Sequence, residues 1–485
     1  MRPVRLLLPL VGALALAGCT ADSPELLAPT GARAAQAAST GRFVVLANSN
    51  GFSKDFATRV AALGGAVETV HDGAGLAVVS GLTSDAATSL ASSSGISEVQ
   101  ADEDIALDMP APAAEADASA VATDNASSQA NPAGAGRYAW QWNMRLIGAN
   151  TAWAAGHLGS SGVTVAILDT GIDYDAPDLN GLVDLSRSTS FVPSDDALTT
   201  TYFGSRNRIS DYNGHGTNVA TQVSSKAFAL AGVTSKTTLI GVKVLGRTGS
   251  GSSTGVLLGV LWAADHGADV ANMSLGGGFT KAGNGRFLSS INRAFNYAKK
   301  KGMLIVVAAG NSSSDLDHDG NFHATYCDEV HVVCVSAVGP RLANSDPNEP
   351  TYYTNFGRSA ISVAGPGGNA DAANGFTRSA WPWGADIASW VWSYCSKTRI
   401  ASLTSAGVPN LTTCRFGNRL TGYIGTSQAT PHVAGLAALL VAEQGKGQPQ
   451  QIKHAIETSA DQLGQSGNDP FYGRGRINVA KAVGL

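Results

Sequence analysis

Short apolar runs and stretches with helical spacing alternate over residues 41–108. Runs of apolar residues predict strands, and stretches in which apolar residues recur every three or four positions predict helices. The predicted strands cover 43–46, 66–70, 76–80 and 96–100, and the predicted helices cover 53–63 and 83–93. Ser53 and Thr83 are the expected N-caps of these helices. The order β-α-β-β-α-β is that of a small ferredoxin-like α+β domain.

Longer apolar runs follow between residues 138 and 485. They alternate with helical stretches, which is typical of the buried parallel strands of α/β proteins. The runs cover 163–168, 239–244, 270–273, 303–308 and 332–338. This part is therefore predicted to be an α/β domain with a doubly wound, mostly parallel sheet. Residues 109–137 are rich in Ala, Ser and Asp and lack periodicity, so they are predicted to be a linker that contains a processing site.

The N-terminus has the pattern of an export signal. Arg2 and Arg5 precede an apolar run at 6–16 that is too short for a membrane anchor. Cys19 directly follows Leu-Ala-Gly, which resembles the lipobox of bacterial lipoproteins. We interpret 1–18 as a lipoprotein-type signal peptide and 19–40 as a linker; the alternative is an ordinary signal peptide with a chance cysteine. An exported protein is expected, attached to a membrane only through a lipidated Cys19 of the precursor, and extracellular after processing.

The composition indicates which binding partners and which disulfide bonds to expect. The formal net charge is −4 over 485 residues, which gives no basic footprint for nucleic acid. An even number of cysteines remains after Cys19, which in an exported chain predicts two disulfides with three possible pairings. The local pairing, Cys327 with Cys334 and Cys395 with Cys414, is our interpretation. A metal site is the alternative, although no Cys-x-x-Cys spacing occurs.

Four motifs contain residues that can carry chemistry. Asp169 ends an apolar strand, and His215 stands between glycines at the expected start of a helix. Ser427 lies at a predicted helix N-terminus, where free N–H groups favour a developing oxyanion. Asn311 follows a buried strand, where its amide could donate to that oxyanion. Each residue also has a structural explanation: a loop cap, a surface histidine, an N-cap serine and a turn asparagine.

Taken together, the motifs resemble those of the subtilisin-like serine proteases, or subtilases. The matching segments occur in the order Asp, His, Asn, Ser, and they are Asp169-Thr-Gly, His215-Gly-Thr, Ser274-Leu-Gly-Gly277, Ala309-Gly-Asn311 and Gly425-Thr-Ser427. The resemblance covers about residues 140–485, and 41–108 also resembles the propeptide of that family. The domains expected from it are a propeptide inhibitor domain at 41–108 and a peptidase domain at 138–485.

The resemblance implies a role for each matched residue. Ser427 would be the nucleophile, His215 the general base and acid, and Asp169 the group that orients the imidazole. Asn311 and the backbone N–H of Ser427 would form the oxyanion hole. The walls of the specificity pocket would be Ser274, Leu275, Gly276, Gly277, Ala308, Ala309 and Gly310, whose small side chains indicate apolar substrate residues.

The implied activity is that of a secreted serine endopeptidase made as a self-processing zymogen. Its substrates would be polypeptides, and its own propeptide would be its inhibitor. A monomer is expected, and the chemistry needs no cofactor. An α/β-hydrolase esterase would need a Gly-x-Ser-x-Gly motif, but Ala429 replaces the last glycine. A non-catalytic binding protein on the same fold is the other alternative.

The sequence departs from the family at several positions. Gln428 follows the nucleophile where methionine is common, and Asn218 stands where a second histidine often occurs. Asp178 resembles a calcium-binding aspartate of the family, but the loop that completes such a site, around 225–232, is short.

Two further features leave alternatives open. Asp315, Asp317 and Asp319 have calcium-loop spacing without the terminal glutamate, so they predict either a structural Ca²⁺ site or a solvated acidic loop. The insert between Gly368 and Gly422 carries Trp381, Trp383, Trp390 and Trp392. It is either a disulfide-clamped flap or an aromatic surface for extended substrate or a cell-wall partner.

Overall fold

The computed structural model describes residues 41–49, 51–110, 113–117, 127–276, 279–280, 285–323, 326–329, 331–341, 345–370 and 389–485. The predicted signal peptide, 1–18, and the predicted linker, 19–40, lie outside these residues. Within the described part, no helix is both long enough and apolar enough to cross a membrane.

An antiparallel sheet with two helices forms the N-terminal domain. Its elements are β1 (Phe43–Ala47), α1 (Phe56–Ala62), β2 (Ala66–His71), β3 (Leu76–Ser80), α2 (Ser84–Ala91) and β4 (Ile96–Ala101). The strand order β2-β3-β1-β4 confirms the ferredoxin-like prediction. Thr83 caps α2, since its hydroxyl accepts from the Ala86 N–H at 3.2 Å. Ser53 as N-cap of α1 was wrong: that helix begins after Asp55.

The remaining elements belong to the second domain and its connections. The strands are β5 (Asp104–Ala106), β6 (Ala114–Asp117), β7 (Thr164–Asp169), β8 (Thr189–Ser190), β9 (Thr238–Lys243), β10 (Ser250–Ser252), β11 (Val270–Met273), β12 (Phe279–Thr280), β13 (Leu304–Ala308), β14 (Phe322–His323), β15 (Val332–Val338), β16 (Val363–Pro366), β17 (Val391–Tyr394), β18 (Ile400–Leu403), β19 (Pro409–Leu411) and β20 (Arg419–Tyr423). The helices are α3 (Trp142–Leu146), α4 (Ala149–Ala154), α5 (Pro193–Tyr202), α6 (His215–Val223), α7 (Ser253–Asp265), α8 (Gly285–Lys300), α9 (Thr426–Gln444), α10 (Pro449–Ser459) and α11 (Val479–Ala482).

A seven-stranded parallel sheet is the centre of this domain. Its order is β16-β15-β13-β11-β7-β9-β8, and each neighbouring pair is parallel. Helices α6 and α9 pack in the core on one face, and α7 and α8 pack in the core on the other. Every residue of β7, β13 and β15 is buried, as expected for strands covered on both faces. The doubly wound α/β prediction is therefore confirmed.

The two faces of the N-terminal sheet pack against different partners. Val45, Ala77 and Val79 pack on the domain's own helices. The alternate residues Val44 and Leu46, with Leu76 and Val78, join the core around α7 and α8 of the second domain. Because strand side chains alternate between faces, a single sheet serves both cores.

Residues 109–137, which the sequence predicts to be a linker, contain regular structure. The strand β6 pairs antiparallel with β20 and forms the edge of the three-stranded sheet β17-β20-β6. A prediction based on composition alone misses it, because four residues of Ala-Glu-Ala-Asp carry little strand propensity of their own.

Disulfide pairing is local, as interpreted from the sequence: Cys327 bonds to Cys334 and Cys395 to Cys414. The second bond closes the insert between β17 and β20. Trp390 and Trp392 are buried in the main core, so they do not form an aromatic surface. Trp381 and Trp383 lie outside the described residues.

Candidate active site

Asp169 and His215 meet at the carboxyl end of the parallel sheet. Asp169 is the last residue of β7, and His215 is the first residue of α6. The Asp169 Oδ1 atom lies 2.8 Å from His215 Nδ1, and both side chains are fully buried. His215 Nε2 is also buried and has no hydrogen-bond partner among the described residues. The pair therefore fixes the imidazole through one nitrogen and leaves the other for a reacting group.

Glycines on both sides of His215 permit this approach. Gly214 has φ 106°, and a Cβ there would lie 2.9 Å from the Tyr423 hydroxyl. A Cβ on Gly216 would lie 2.1 Å from the carbonyl oxygen of Gly171, the turn that follows Asp169. Any larger residue at 216 would therefore push α6 away from the end of β7.

Asp211 organises the start of α6, and the sequence analysis missed it. Its carboxylate accepts from the Gly214 N–H at 2.8 Å, from the Thr217 N–H at 2.9 Å and from the Thr217 hydroxyl at 2.6 Å. It also accepts from the Thr170 hydroxyl at 2.9 Å, and Thr170 follows Asp169. The sequence did contain a signal for this role, because Asp211 stands four residues before His215, and acidic residues are favoured next to a helix N-terminus.

Ser427 lies in the first turn of α9, which begins at Thr426 after Gly425. It is not the helix N-cap, so that alternative explanation is excluded. Its Oγ donates to the Ser274 carbonyl oxygen at 3.1 Å, and the Ser274 hydroxyl donates to the Ser427 carbonyl oxygen at 2.7 Å. The residues from Thr426 to Val441 are buried, so the helix holds the serine rigidly.

Asn311 follows β13 and points its amide at a peptide carbonyl. Its Oδ1 accepts from the Thr426 N–H and the Thr426 hydroxyl, both at 2.9 Å, which fixes the orientation of the amide. Its Nδ2 donates to the carbonyl oxygen of Asp108 at 2.6 Å. The asparagine therefore already binds a carbonyl of the chain's own N-terminal part.

The strand that leads to this carbonyl pairs with the second domain. β5 runs antiparallel to β10, and the Leu107 N–H donates to the Gly249 carbonyl oxygen at 2.9 Å. The Ser312 hydroxyl lies 3.3 Å from Asp108 Oδ2. Asp108, whose carbonyl oxygen accepts from Asn311, thus places an acidic side chain beside Ser312.

The described residues of the two predicted pocket walls follow neighbouring strands of the sheet. Ser274, Leu275 and Gly276 follow β11, and Ala308 to Gly310 end β13. The structure does not describe Gly277. The strands β11 and β13 are parallel neighbours, which brings both segments to the same edge of the sheet.

The candidate calcium loop is not assembled. Asp317 accepts from the Ser359 hydroxyl at 2.6 Å, and Asp315 lies 2.8 Å from His318 Nδ1. Within the described ranges, Asp315, Asp317 and Asp319 do not form a cluster whose ligand atoms could share one ion. In this structure the three carboxylates do not converge on one point, and calcium binding by this loop stays a prediction.

Asp178 does not fit a calcium site either. Its carboxylate is fully buried and accepts from the backbone N–H groups of Phe228, Ala229 and Leu230 at 2.7, 2.9 and 3.1 Å. Burial raises the pKa of Asp178 to about 7, and the three amides oppose that rise. Both carboxylate oxygens are thus bound by the short loop itself, in the place where a cation would have to bind.

An Asp–His pair, a serine at a helix N-terminus and an asparagine amide on a doubly wound parallel sheet define a serine peptidase. Residues 160–475 match the model of the subtilase family. The chain is 33% identical to thermitase of Thermoactinomyces vulgaris over 71% of its length and 95% of that protein, and 30% identical to subtilisin Savinase of Lederbergia lenta over 70% and 98%. The chain belongs to the subtilase family and is a subtilisin-type serine endopeptidase.

A solved structure shares the whole two-domain fold. The epidermin leader peptide processing serine protease of Staphylococcus aureus superposes with a TM-score of 0.68 at 21% identity, covering 92% of this chain and 98% of that one. A lanthipeptide protease superposes with a TM-score of 0.54 at 24% identity, covering 75% and 95%. At these identities the likeness shows the fold alone.

Proposed function

We propose that Ser427, His215, Asp169 and Asn311 catalyse peptide-bond hydrolysis, and that the chain is a zymogen that first cuts itself between Asp108 and Met109. His215 Nε2 takes the proton of the Ser427 hydroxyl as Oγ attacks the carbonyl carbon, and the proton then passes to the leaving amine. Water hydrolyses the acyl-enzyme in a second, matching step. Asp169 holds the imidazole and stabilises its cation during both steps.

One observation supports the position of the cut: Asn311 donates to the Asp108 carbonyl oxygen at 2.6 Å. An oxyanion donor must contact the carbonyl that is attacked, so Asp108 is the residue before the scissile bond. The pairing of β5 with β10 holds Ile105 and Leu107 as an extended substrate strand. Apolar residues are therefore expected two and four positions before the cleaved bond.

The N-terminal domain has the contacts expected of an inhibitor. Asp102 accepts from the Ser253 hydroxyl at 2.9 Å and from the Thr254 N–H at 2.8 Å, at the N-terminus of α7. Arg293 of α8 donates to the Ala47 carbonyl oxygen at 2.6 Å. With this domain docked, the segment that follows it reaches Asn311 through Asp108, which supports a precursor that is inactive until it is cut. Lipidation of Cys19 remains a prediction that would attach the precursor, and not the mature enzyme, to a membrane.

The test is expression of the wild type and the Ser427→Ala variant in a host without other proteases. The wild type should yield a mature chain whose N-terminus, by mass spectrometry, is Met109, and it should hydrolyse casein. Ser427→Ala should remain at full length and be inactive. Ser186→Ala, at an exposed turn, is the matched control and should mature normally. Maturation of Ser427→Ala would refute self-processing, and a different N-terminus would refute the assigned bond.

A further inference from the structure

The strand β20 connects the insert directly to the nucleophile. It ends at Tyr423, and Ser427 follows four residues later at the start of α9. The Tyr423 ring meets the His215 ring edge-on with centroids 5.8 Å apart. A polypeptide strand that pairs with β20 therefore lies next to the active site, with one end near His215 and Ser427 and the other end farther away.

The polypeptide beyond the proposed scissile bond follows this path. The carbonyl oxygen of Pro110 accepts from the Tyr352 hydroxyl at 3.0 Å. Further along, β6 pairs antiparallel with β20 in a register that sets Ala114 opposite Gly422 and Asp117 opposite Arg419. The residue of β6 nearest the scissile bond thus faces the end of β20 nearest the nucleophile.

Side chains of the insert also recognise this strand. Arg399 Nη1 lies 3.2 Å from Glu115 Oε1, and the Thr413 hydroxyl donates to Glu115 Oε2 at 3.1 Å. Ala116 is buried against the main core, next to a strand whose Leu420 and Thr421 are buried too. β20, Arg399 and Thr413 therefore bind three features of β6: its backbone, the Glu115 carboxylate and the small side chain of Ala116.

We propose that the edge of β20, with Arg399 and Thr413, is an exosite that binds the part of a polypeptide substrate lying six to nine residues after the cleaved bond. It accepts that part by strand addition and favours an acidic residue followed by a small one, as Glu115 and Ala116 are in the precursor. This proposal rests on the proposed function, because the cut after Asp108 sets the count of residues. It gives the insert a role in selecting long polypeptides over short peptides.

In the mature enzyme the chain's own segment 109–117 stays covalently attached and competes for this exosite. Attachment gives it a high effective concentration, so it opposes binding of any substrate that reaches the exosite. Only the long peptide reaches that site, so the measurements use a mature enzyme with Glu115→Lys, whose own segment lacks the contacts with Arg399 and Thr413.

The experiment compares two peptides cut by the mature enzyme, one with the sequence of residues 101–112 and one with that of 101–119. Both should be cut after the aspartate that corresponds to Asp108, and the long one with a KM about tenfold lower, the size of one charge-assisted interaction. Exchange of the glutamate that corresponds to Glu115 for lysine in the long peptide should remove most of that gain. With the Arg399→Ala enzyme the same exchange should have little effect.

Arg415→Ala is the matched control, since Arg415 lies in the same insert and stacks on Phe416. It should leave the long-to-short ratio of kcat/KM unchanged, whereas Thr413→Val, a milder change, should lower it in part. Equal kcat/KM values for the two peptides would overturn the exosite, as would a glutamate-to-lysine loss that is the same with and without Arg399. Failure to cut the short peptide after the aspartate that corresponds to Asp108 would instead refute the proposed function.

Discussion

His432 makes the peptidase domain sensitive to acid. It lies on α9 five residues after Ser427 and is fully buried. Its Nδ1 lies 2.8 Å from the Gln428 carbonyl oxygen, and its Nε2 lies 2.8 Å from Asn143 Nδ2. The first contact requires a proton on Nδ1 and the second requires none on Nε2, so the structure fits the neutral ring. Burial lowers the pKa of His432 to about 4.

The free energy that depends on this proton follows from the two pKa values. In the unfolded chain the ring has a pKa of about 6.5, so the unfolded state binds the proton more tightly than the folded state does. The contribution of the neutral ring is complete above pH 6.5 and is lost as the pH falls towards 4. A difference of about 2.5 pKa units corresponds to about 3 kcal/mol.

The assay is urea unfolding of the uncleaved Ser427→Ala protein between pH 7.5 and 4, with and without His432→Gln. Tryptophan fluorescence reports only the peptidase domain, because all 8 tryptophans lie after residue 138. The glutamine variant lacks this titration, so its free energy of unfolding should fall by about 3 kcal/mol less than that of the parent over this range. A constant difference between the two proteins at every pH would refute the reasoning.

Four further outcomes are expected. Asn311→Ala should lower kcat by about 10²–10³, a range established on a subtilisin, with KM little changed in a peptide assay. Asp178→Ala should cost at least about 3 kcal/mol in unfolding, because three buried amides lose their acceptor, and the loss should be equal in calcium and in chelator. Asp102→Ala should weaken inhibition by added propeptide domain by about tenfold or more, measured as Ki. Peroxide should inactivate Gln428→Met faster than the wild type, which has no sulfur at that position, in a timed activity assay.

Much of the fold could be predicted because it depends on local pattern. The buried strands β7, β13 and β15 are nearly continuous apolar runs that end at Asp169, Ala308 and Val338. The glycines around His215 marked it in the sequence, although the contacts that require them, with Tyr423 and Gly171, involve distant parts of the chain. The role of β6 could not be predicted, since β20, the strand with which it pairs, lies about 300 residues away in the sequence. The contacts of Asp178 could not be predicted for the same reason: the three amides that bind its carboxylate belong to a loop 50 residues later.

The candidate site also has a part that the sequence could predict and a part that it could not. The types and order of Asp169, His215, Asn311 and Ser427 could be read from motifs, because glycine and strand ends mark them. That Asn311 contacts Asp108 could not, because this contact depends on how one domain docks on another. The sequence left two alternatives open for Trp390 and Trp392, since tryptophan in an insert packs inward as readily as it binds a partner, and both side chains are buried.

The two-faced sheet of the N-terminal domain ties the stability of this domain to its docking. Val44, Leu46 and Val78 pack against the core around α7 and α8, so release exposes an apolar face on a unit of fewer than about 70 residues. Such a small unit keeps only the core on its helical face, so it is less stable alone than when docked. In the proposed maturation, a released domain therefore opens more often and is digested by the active enzyme more readily than the docked one.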